Sequence, residues 1–178
     1  MPAAEPTLDE LVRRIRGSGS RPVVLLDGGS GAGKTTLATA LAEVLPAQLV
    51  SLDDVYPGWD GLEQASSAVT DDLLGRHRWQ RWDWSSERPA EVHTLDPAAP
   101  LVVEGAGALS RRSRALATFA IWLELDEEER RHRALARDGD TYAPHWERWA
   151  RQERAFFERE RPDLLADVVL DGALSLVA

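Results

Sequence analysis

Gly28-Gly29-Ser30-Gly31-Ala32-Gly33-Lys34-Thr35 is a G-x-x-x-x-G-K-T segment, and no other stretch constrains this chain as tightly. The apolar run Pro22-Val23-Val24-Leu25-Leu26 precedes it. The helix-prone Thr36-Leu37-Ala38-Thr39-Ala40-Leu41-Ala42 follows. Strand, glycine-rich loop and helix in that order make a phosphate-binding loop. Glycines let the backbone turn tightly and approach phosphate oxygens with no Cβ in between. Successive N–H groups then form an anion nest, reinforced by the N-terminus of the following helix. Lys34 is the only lysine in a chain whose other strongly basic residues are all arginine. A thin ammonium stem can reach between two phosphates where a planar guanidinium is too bulky. The segment is read as binding a nucleoside triphosphate through Gly29, Ser30, Gly31, Ala32, Gly33, Lys34, Thr35 and Thr36. Lys34 reaches the β- and γ-phosphates, and the Thr35 hydroxyl ligates Mg²⁺.

At 178 residues the chain fits one domain, 1–178, with a sizeable core. A net charge of −9 argues against broad contact with nucleic-acid phosphates. It leaves room for a small anionic substrate in a local arginine cluster. There is no cysteine, hence no disulfide framework and no thiolate chemistry. Met1-Pro2-Ala3-Ala4-Glu5-Pro6 lacks the basic and apolar regions of a signal peptide, and no apolar run is long enough to span a bilayer. A cytoplasmic protein is expected, a monomer or homodimer acting on a small molecule, without a nucleic-acid or membrane partner.

Thr7-Leu8-Asp9-Glu10 has capping-box spacing ahead of Leu8, Leu11, Val12 and Ile15 at helical intervals. Strands are predicted near 22–27, 48–52, 100–104, 119–125 and 167–170. Helices are predicted after the loop to about Leu45, around Arg111, Arg112 and Arg114, from Asp126 to about Arg137, and from about Pro144 to Glu160. The stretch 54–98 is rich in Trp, Gly, Asp and Arg with weak periodicity, and reads as short helices and loops. Strands alternating with helices predict an α/β fold, a parallel sheet with helices on both faces. The apolar strands lack polar alternation, as burial on both sides requires.

Acids complete the site. Asp53 and Asp54 follow the second strand, and Glu104 ends the third. Ligands of open α/β sheets bind beyond the carboxyl ends of the strands, so these acids face the phosphates. One can hold Mg²⁺; another can accept the proton of an attacking hydroxyl. A carboxylate ending an apolar run costs free energy unless it is paired or metal-bound.

Asp53-Asp54-Val55-Tyr56, Val103-Glu104-Gly105 and the helix carrying Arg130, Arg133, Arg137 and Asp138 together resemble the uridine kinase-like branch of P-loop kinases. That branch includes nucleoside, pantothenate and related small-molecule kinases. With the loop, the resemblance covers about a third of the chain. It implies a P-loop kinase fold, a five-stranded parallel core of order 2-3-1-4-5, and ATP with Mg²⁺ as donor. It also implies Asp53 as general base, with Thr35, Asp53 and Glu104 about the metal. The sequence departs from the family at Val55, usually aromatic, at Arg137-Asp138-Gly139-Asp140-Thr141-Tyr142, and at Trp79-Gln80-Arg81-Trp82-Asp83-Trp84 in place of the nucleoside-recognition segment.

Arg130, Arg133 and Arg137 share one helix face. Arg133 and Arg137 are the candidate catalytic arginines of a lid, about 126–145, closing over the γ-phosphate. The acceptor pocket is assigned to the insertion 54–98, with Tyr56, Trp59, Arg81, Asp83 and Arg88 as substrate contacts. Aromatic faces with interleaved charges grip a flat or hydroxyl-rich molecule. Trp146, Trp149, Phe156 and Phe157 lie near helical spacing and read as packing. The function read from these residues is an ATP-dependent small-molecule kinase phosphorylating a hydroxyl, first of a nucleoside-like acceptor. One alternative is a nucleoside monophosphate kinase, with the Arg76–Arg81 cluster on the acceptor phosphate. Another is a nucleotide-gated switch with a protein partner.

Overall fold

The structure, a computed structural model, describes residues 6–172. Residues 1–5, most of the stretch read above for a targeting signal, lie outside them. α1 (Leu8–Gly17) begins with the expected capping box: Thr7 Oγ1 accepts from the Glu10 N–H at 3.3 Å, and the Glu10 carboxylate accepts from the Thr7 N–H at 2.9 Å. β1 (Val23–Gly28), the phosphate-binding loop and α2 (Lys34–Val44) follow. β2 (Gln48–Ser51) runs into a 3₁₀ turn, Leu52–Asp54. α3 (Leu62–Ala68) widens into a π-type turn, Val69–Leu74. β3 (Arg78–Asp83) and β4 (Arg88–Thr94) pair as an antiparallel hairpin. Next come β5 (Leu101–Glu104), α4 (Arg111–Arg114), β6 (Phe119–Glu124) and α5 (Glu127–Asp138). Two 3₁₀ turns, Gly139–Thr141 and Ala143–His145, lead to α6 (Trp146–Glu160), α7 (Pro162–Leu165) and β7 (Val168–Asp171).

Five strands form one parallel sheet in the order β2-β5-β1-β6-β7. Numbered among themselves in chain order, these core strands run 2-3-1-4-5, as the family resemblance implied. Both faces are apolar. Val24 and Leu26 of β1 pack with Ile15 of α1 and with Leu37 and Leu41 of α2. Leu25 and Val103 belong to the opposite core, with Leu62 of α3 and Trp146 and Phe156 of α6. The strand order reverses at β1, so a crevice opens at its carboxyl end, and the phosphate-binding loop begins there. Among the described residues no helix is long and apolar enough to cross a membrane.

The stretch 54–98 corrects the expectation of short helices and loops: its second half is the β3–β4 hairpin. The register shifts between Gln80 and Trp82, which breaks the period-two pattern after a few residues. Pro89 sits within β4 opposite Trp82. Proline argues against a strand in a sheet interior, but a two-stranded hairpin consists of edges.

Candidate active site

Gly31 and Gly33 have φ of +87° and +96°, the left-handed region where an L side chain is strained. At Gly31 a side chain would also strike the backbone of Arg130. Arg130 packs against the loop. Its Nη1–H donates to the Ser30 carbonyl at 3.2 Å, its Nε–H donates to the Leu125 carbonyl at 3.0 Å, and it pairs with Glu153 at 3.2 Å. Glu153 on α6 is only 1% exposed; its carboxylate accepts from the Ser30 N–H at 2.7 Å and from the Trp149 Nε1–H at 2.9 Å. Burial pushes this carboxyl above the usual range, while Lys34 and Arg130 pull it back. The Lys34 ammonium donates to the Gly29 carbonyl at 3.0 Å.

Glu104 ends β5 beside the loop. Its Oε1 accepts from the Ser51 hydroxyl at 2.5 Å and from the Thr35 hydroxyl at 3.2 Å. Burial raises this carboxyl, opposed by Lys34 and the Ser51 hydrogen bond. Asp53 projects from the 3₁₀ turn after β2. Its carboxylate is exposed, but protein atoms of the two cavities it lines crowd around it and remove part of its hydration. That desolvation raises its carboxyl above the ordinary range, against the pull of Lys34 and Arg137.

Two cavities meet here. The smaller, about 90 Å³, is lined by Gly31, Gly33, Lys34, Thr35, Thr36 and Glu104. The larger, about 330 Å³, has an aromatic wall of Tyr56, Trp59, Trp84, Tyr142 and Trp149. Both are also lined by Ser30, Asp53 and Arg137, so Asp53 stands at their junction. Asp54 lines neither.

The other residues singled out in the sequence divide between these cavities and the rest of the molecule. Arg133 bonds Glu129 at 2.8 Å and the Gly172 carbonyl at 2.9 Å, and lines a third cavity with Ala32, Gly33, Thr36 and Leu170. Arg137 lies at the junction, bonded to Asp138 through Nε and Nη2. Tyr56 and Trp59 line the larger cavity; Arg81, Asp83 and Arg88 do not. Arg81 forks onto Glu91 across the hairpin at 2.6 and 3.1 Å. Asp83 caps the hairpin turn through the Ser85 and Ser86 hydroxyls, both at 2.6 Å. Arg88 is exposed on β4.

Sequence reasoning missed several residues. The helical spacing of Trp149 reads as packing, yet it lines both cavities and bonds Glu153. Tyr142 and Glu153 belong to no motif. Asp27 carried the signal used for Glu104, a carboxylate at the end of an apolar strand. It is fully buried and accepts from the N–H groups of Gly28 (2.7 Å), Gly107 (3.1 Å) and Leu109 (2.8 Å), fixing the loop after β5. Burial pushes its carboxyl up to about 7, with those N–H donors and Lys34 acting against the rise.

Among the described residues there is no cluster of three or more His, Asp or Glu suited to a metal. The donor set at the smaller cavity is instead one hydroxyl, Thr35, beside the carboxylates of Glu104 and Asp53. That fits Mg²⁺, which keeps several waters and is held by one or two carboxylates together with substrate phosphates.

Fold and loop together define an α/β protein with the P-loop kinase fold. No family model and no curated protein matches the sequence. Among solved structures, the fold is similar to a possible uridine kinase from Bacillus stearothermophilus, 20% identical, with a TM-score of 0.64, covering 92% of this chain and 97% of that one. It is similar to shikimate kinase from Acinetobacter baumannii, 18% identical, TM-score 0.57, covering 90% and 89%. A gluconokinase from Sinorhizobium meliloti 1021 is 18% identical, TM-score 0.53, covering 87% and 85%.

Proposed function

We propose that this protein is an ATP-dependent small-molecule kinase that transfers the γ-phosphate to an acceptor hydroxyl. One observation carries the reading: Asp53 lies where the loop cavity, with Lys34, Thr35 and Glu104, opens into the aromatic cavity. A donor phosphate and an acceptor hydroxyl brought together there meet beside a carboxylate. The names of the similar structures span uridine, shikimate and gluconate kinases, so this fold serves varied acceptors.

In this reading the loop N–H groups and Lys34 hold the β- and γ-phosphates. Bound Mg²⁺ supplies charge neutralisation of the transferring phosphoryl group. Thr35 and Glu104 would hold it, with Asp53 close by. Asp53 orients the acceptor hydroxyl and takes its proton, for which it must be ionised. Arg137 faces the γ-phosphate when the lid, residues 126–145, closes, and stabilises the charge that builds up during transfer. Arg133 supports the nucleotide from the third cavity. The monophosphate-kinase alternative draws no support from the Arg76–Arg81 cluster: Arg76 is paired with Asp72 and Arg81 with Glu91, and neither they nor Arg78 line the larger cavity.

The test is a metabolite panel with Mg–ATP, read as ADP release, repeated with Asp53→Asn. Acceptor-dependent turnover that Asp53→Asn lowers by about 10²–10⁴-fold supports the reading. ATP hydrolysis indifferent to every metabolite, together with nucleotide-dependent capture of a protein partner, would replace it with the switch.

A further inference from the structure

We propose that the β3–β4 hairpin is the acceptor-selecting element. Through Trp84 it closes the larger cavity into a site for a ring-bearing alcohol that carries no negative charge. This rests on the kinase reading, since it takes the cavity beside Asp53 as the acceptor's place.

The hairpin is tied to the site at its tip. The Trp84 Nε1–H donates to the backbone carbonyl of Asp53 at 2.7 Å, joining positions 31 residues apart. The tip is held in shape by Asp83, which caps Ser85 and Ser86. Trp84 thereby lies against Trp59, with ring centroids 5.0 Å apart. Trp59 in turn stacks on His145 at 4.2 Å and 8°, and on Tyr142 at 5.4 Å and 17°. The wall is a set of flat rings braced by one another and by a bond to the candidate base's own backbone. Flat faces favour a ring-bearing ligand by offset or edge contacts.

Charge sets the second requirement. Of the residues lining the cavity, Asp53 and Asp138 are carboxylates, and Arg137 is the one guanidinium. Arg137 is already bonded to Asp138 at 3.0 and 2.6 Å, and it also faces the phosphate cavity. Of the insertion's arginines, Arg76 is paired with Asp72 and Arg81 with Glu91, and neither they nor Arg78 and Arg88 line the cavity. An anionic acceptor would lose its hydration in front of the Asp53 carboxylate and the negative faces of aromatic rings, with no cation lining the cavity free of a carboxylate partner to receive it. An uncharged or cationic ring meets no such penalty. The volume, about 330 Å³, is at the small end for ligand cavities and suits one compact ring system.

The experiment uses the full chain with its donor site filled by Mg²⁺ and a non-hydrolysable ATP analogue. Two matched pairs are titrated by calorimetry or ligand-observed NMR: benzyl alcohol against mandelate, and uridine against uridine monophosphate. The uncharged member of each pair is expected to bind at least about tenfold more tightly. Trp84→Ala is expected to weaken the uncharged members by about three- to tenfold, the worth of an aromatic contact. Asp138→Asn, which releases Arg137, is expected to improve binding of mandelate and the monophosphate about fivefold or more, a gain that damage to the fold cannot produce. Equal or tighter binding of the anionic members by the unaltered chain overturns the proposal. So does binding that Trp84→Ala leaves unchanged, or no binding by any of the four. The kinase reading fails separately: Mg–ATP binding that Lys34→Ala does not weaken removes the donor site, whatever the pairs show.

Discussion

At the scale of single residues, the candidate chemistry rests on charges gathered around one loop, Lys34 buried and Asp53 and Arg137 exposed. Lys34 is almost buried and bonded to the loop's own Gly29 carbonyl, so its ammonium already lies over the anion nest. Lys34→Ala is expected to abolish phosphoryl transfer and to weaken Mg–ATP binding while leaving the melting temperature within a few degrees; Lys34→Arg is expected to be nearly as poor. Calorimetric titration and thermal melts decide both. Asp53 yields a pH expectation. Its carboxyl is raised by desolvation, and a base works only when ionised. Turnover should therefore fall as pH drops through a value above the ordinary aspartate range of about 4. A kcat/KM profile whose acid limb lies at or below that range would remove Asp53 as the base. Arg137 is exposed and bonded to its neighbour Asp138, yet it lines both cavities. Arg137→Ala is expected to lower turnover by about 10³-fold with little loss of ATP binding when acceptor is absent. Unchanged turnover would make it an ordinary solvated arginine. Lys34, Thr35, Asp53 and Glu104 were legible because the chemistry of phosphate demands those residue types close to a glycine loop or a strand end.

At the scale of elements, α6 does more than cover the sheet. Its Glu153 joins α6 to the loop through the Ser30 N–H and to α5 through Arg130, and braces Trp149 of the aromatic wall on its own helix. Replacing Glu153 with Gln would set an amide N–H₂ among donors and leave the Arg130 guanidinium, 8% exposed, with only the more exposed Glu127 carboxylate, 3.9 Å away, as counter-charge. Breaking a buried pair on one side costs about 3–5 kcal/mol. Urea unfolding of Glu153→Gln should show a loss of that order. An effect below about 1 kcal/mol would mean that the pair is solvated and contributes little. None of this was legible in the sequence. Glu153 lies among many charges on a helix, and only the packing of α6 against the loop takes it out of water. The hairpin was equally hidden, because its bulge and Pro89 erase the local pattern that marks strands.

At the scale of the whole molecule, the sheet brings distant segments to one edge, and Asp27 links them. From the end of β1 it accepts N–H groups of Gly107 and Leu109, about eighty residues on. Its carboxyl, pushed up to about 7 from 3.8, makes the folded state bind a proton that the unfolded state has released between those values. Stability from this group is therefore full below about 4 and is lost as pH rises through about 7. Asp27→Asn removes that titration and turns an amide N–H₂ toward backbone donors, a loss of about 1–3 kcal/mol. The gap between the two proteins should be wider at pH 5 than at pH 8; denaturant unfolding at both values measures it, and a gap independent of pH would place the Asp27 pKa near its ordinary value. The strand–loop–helix at the phosphate site, the apolar core strands and the acids at strand ends follow from the sequence by itself. Each is a local matter, settled by backbone freedom at glycine, by burial on both faces of a parallel sheet, and by what phosphate and Mg²⁺ require. The tertiary structure alone decided that Trp84, Tyr142 and Trp149 share one wall, that Arg81 and Asp83 serve the hairpin instead, and that Glu153 holds the loop. Those outcomes depend on which surfaces meet across 30 to 120 residues of chain, and a side chain's role there is set by its partners' burial and charge, which no local spacing records.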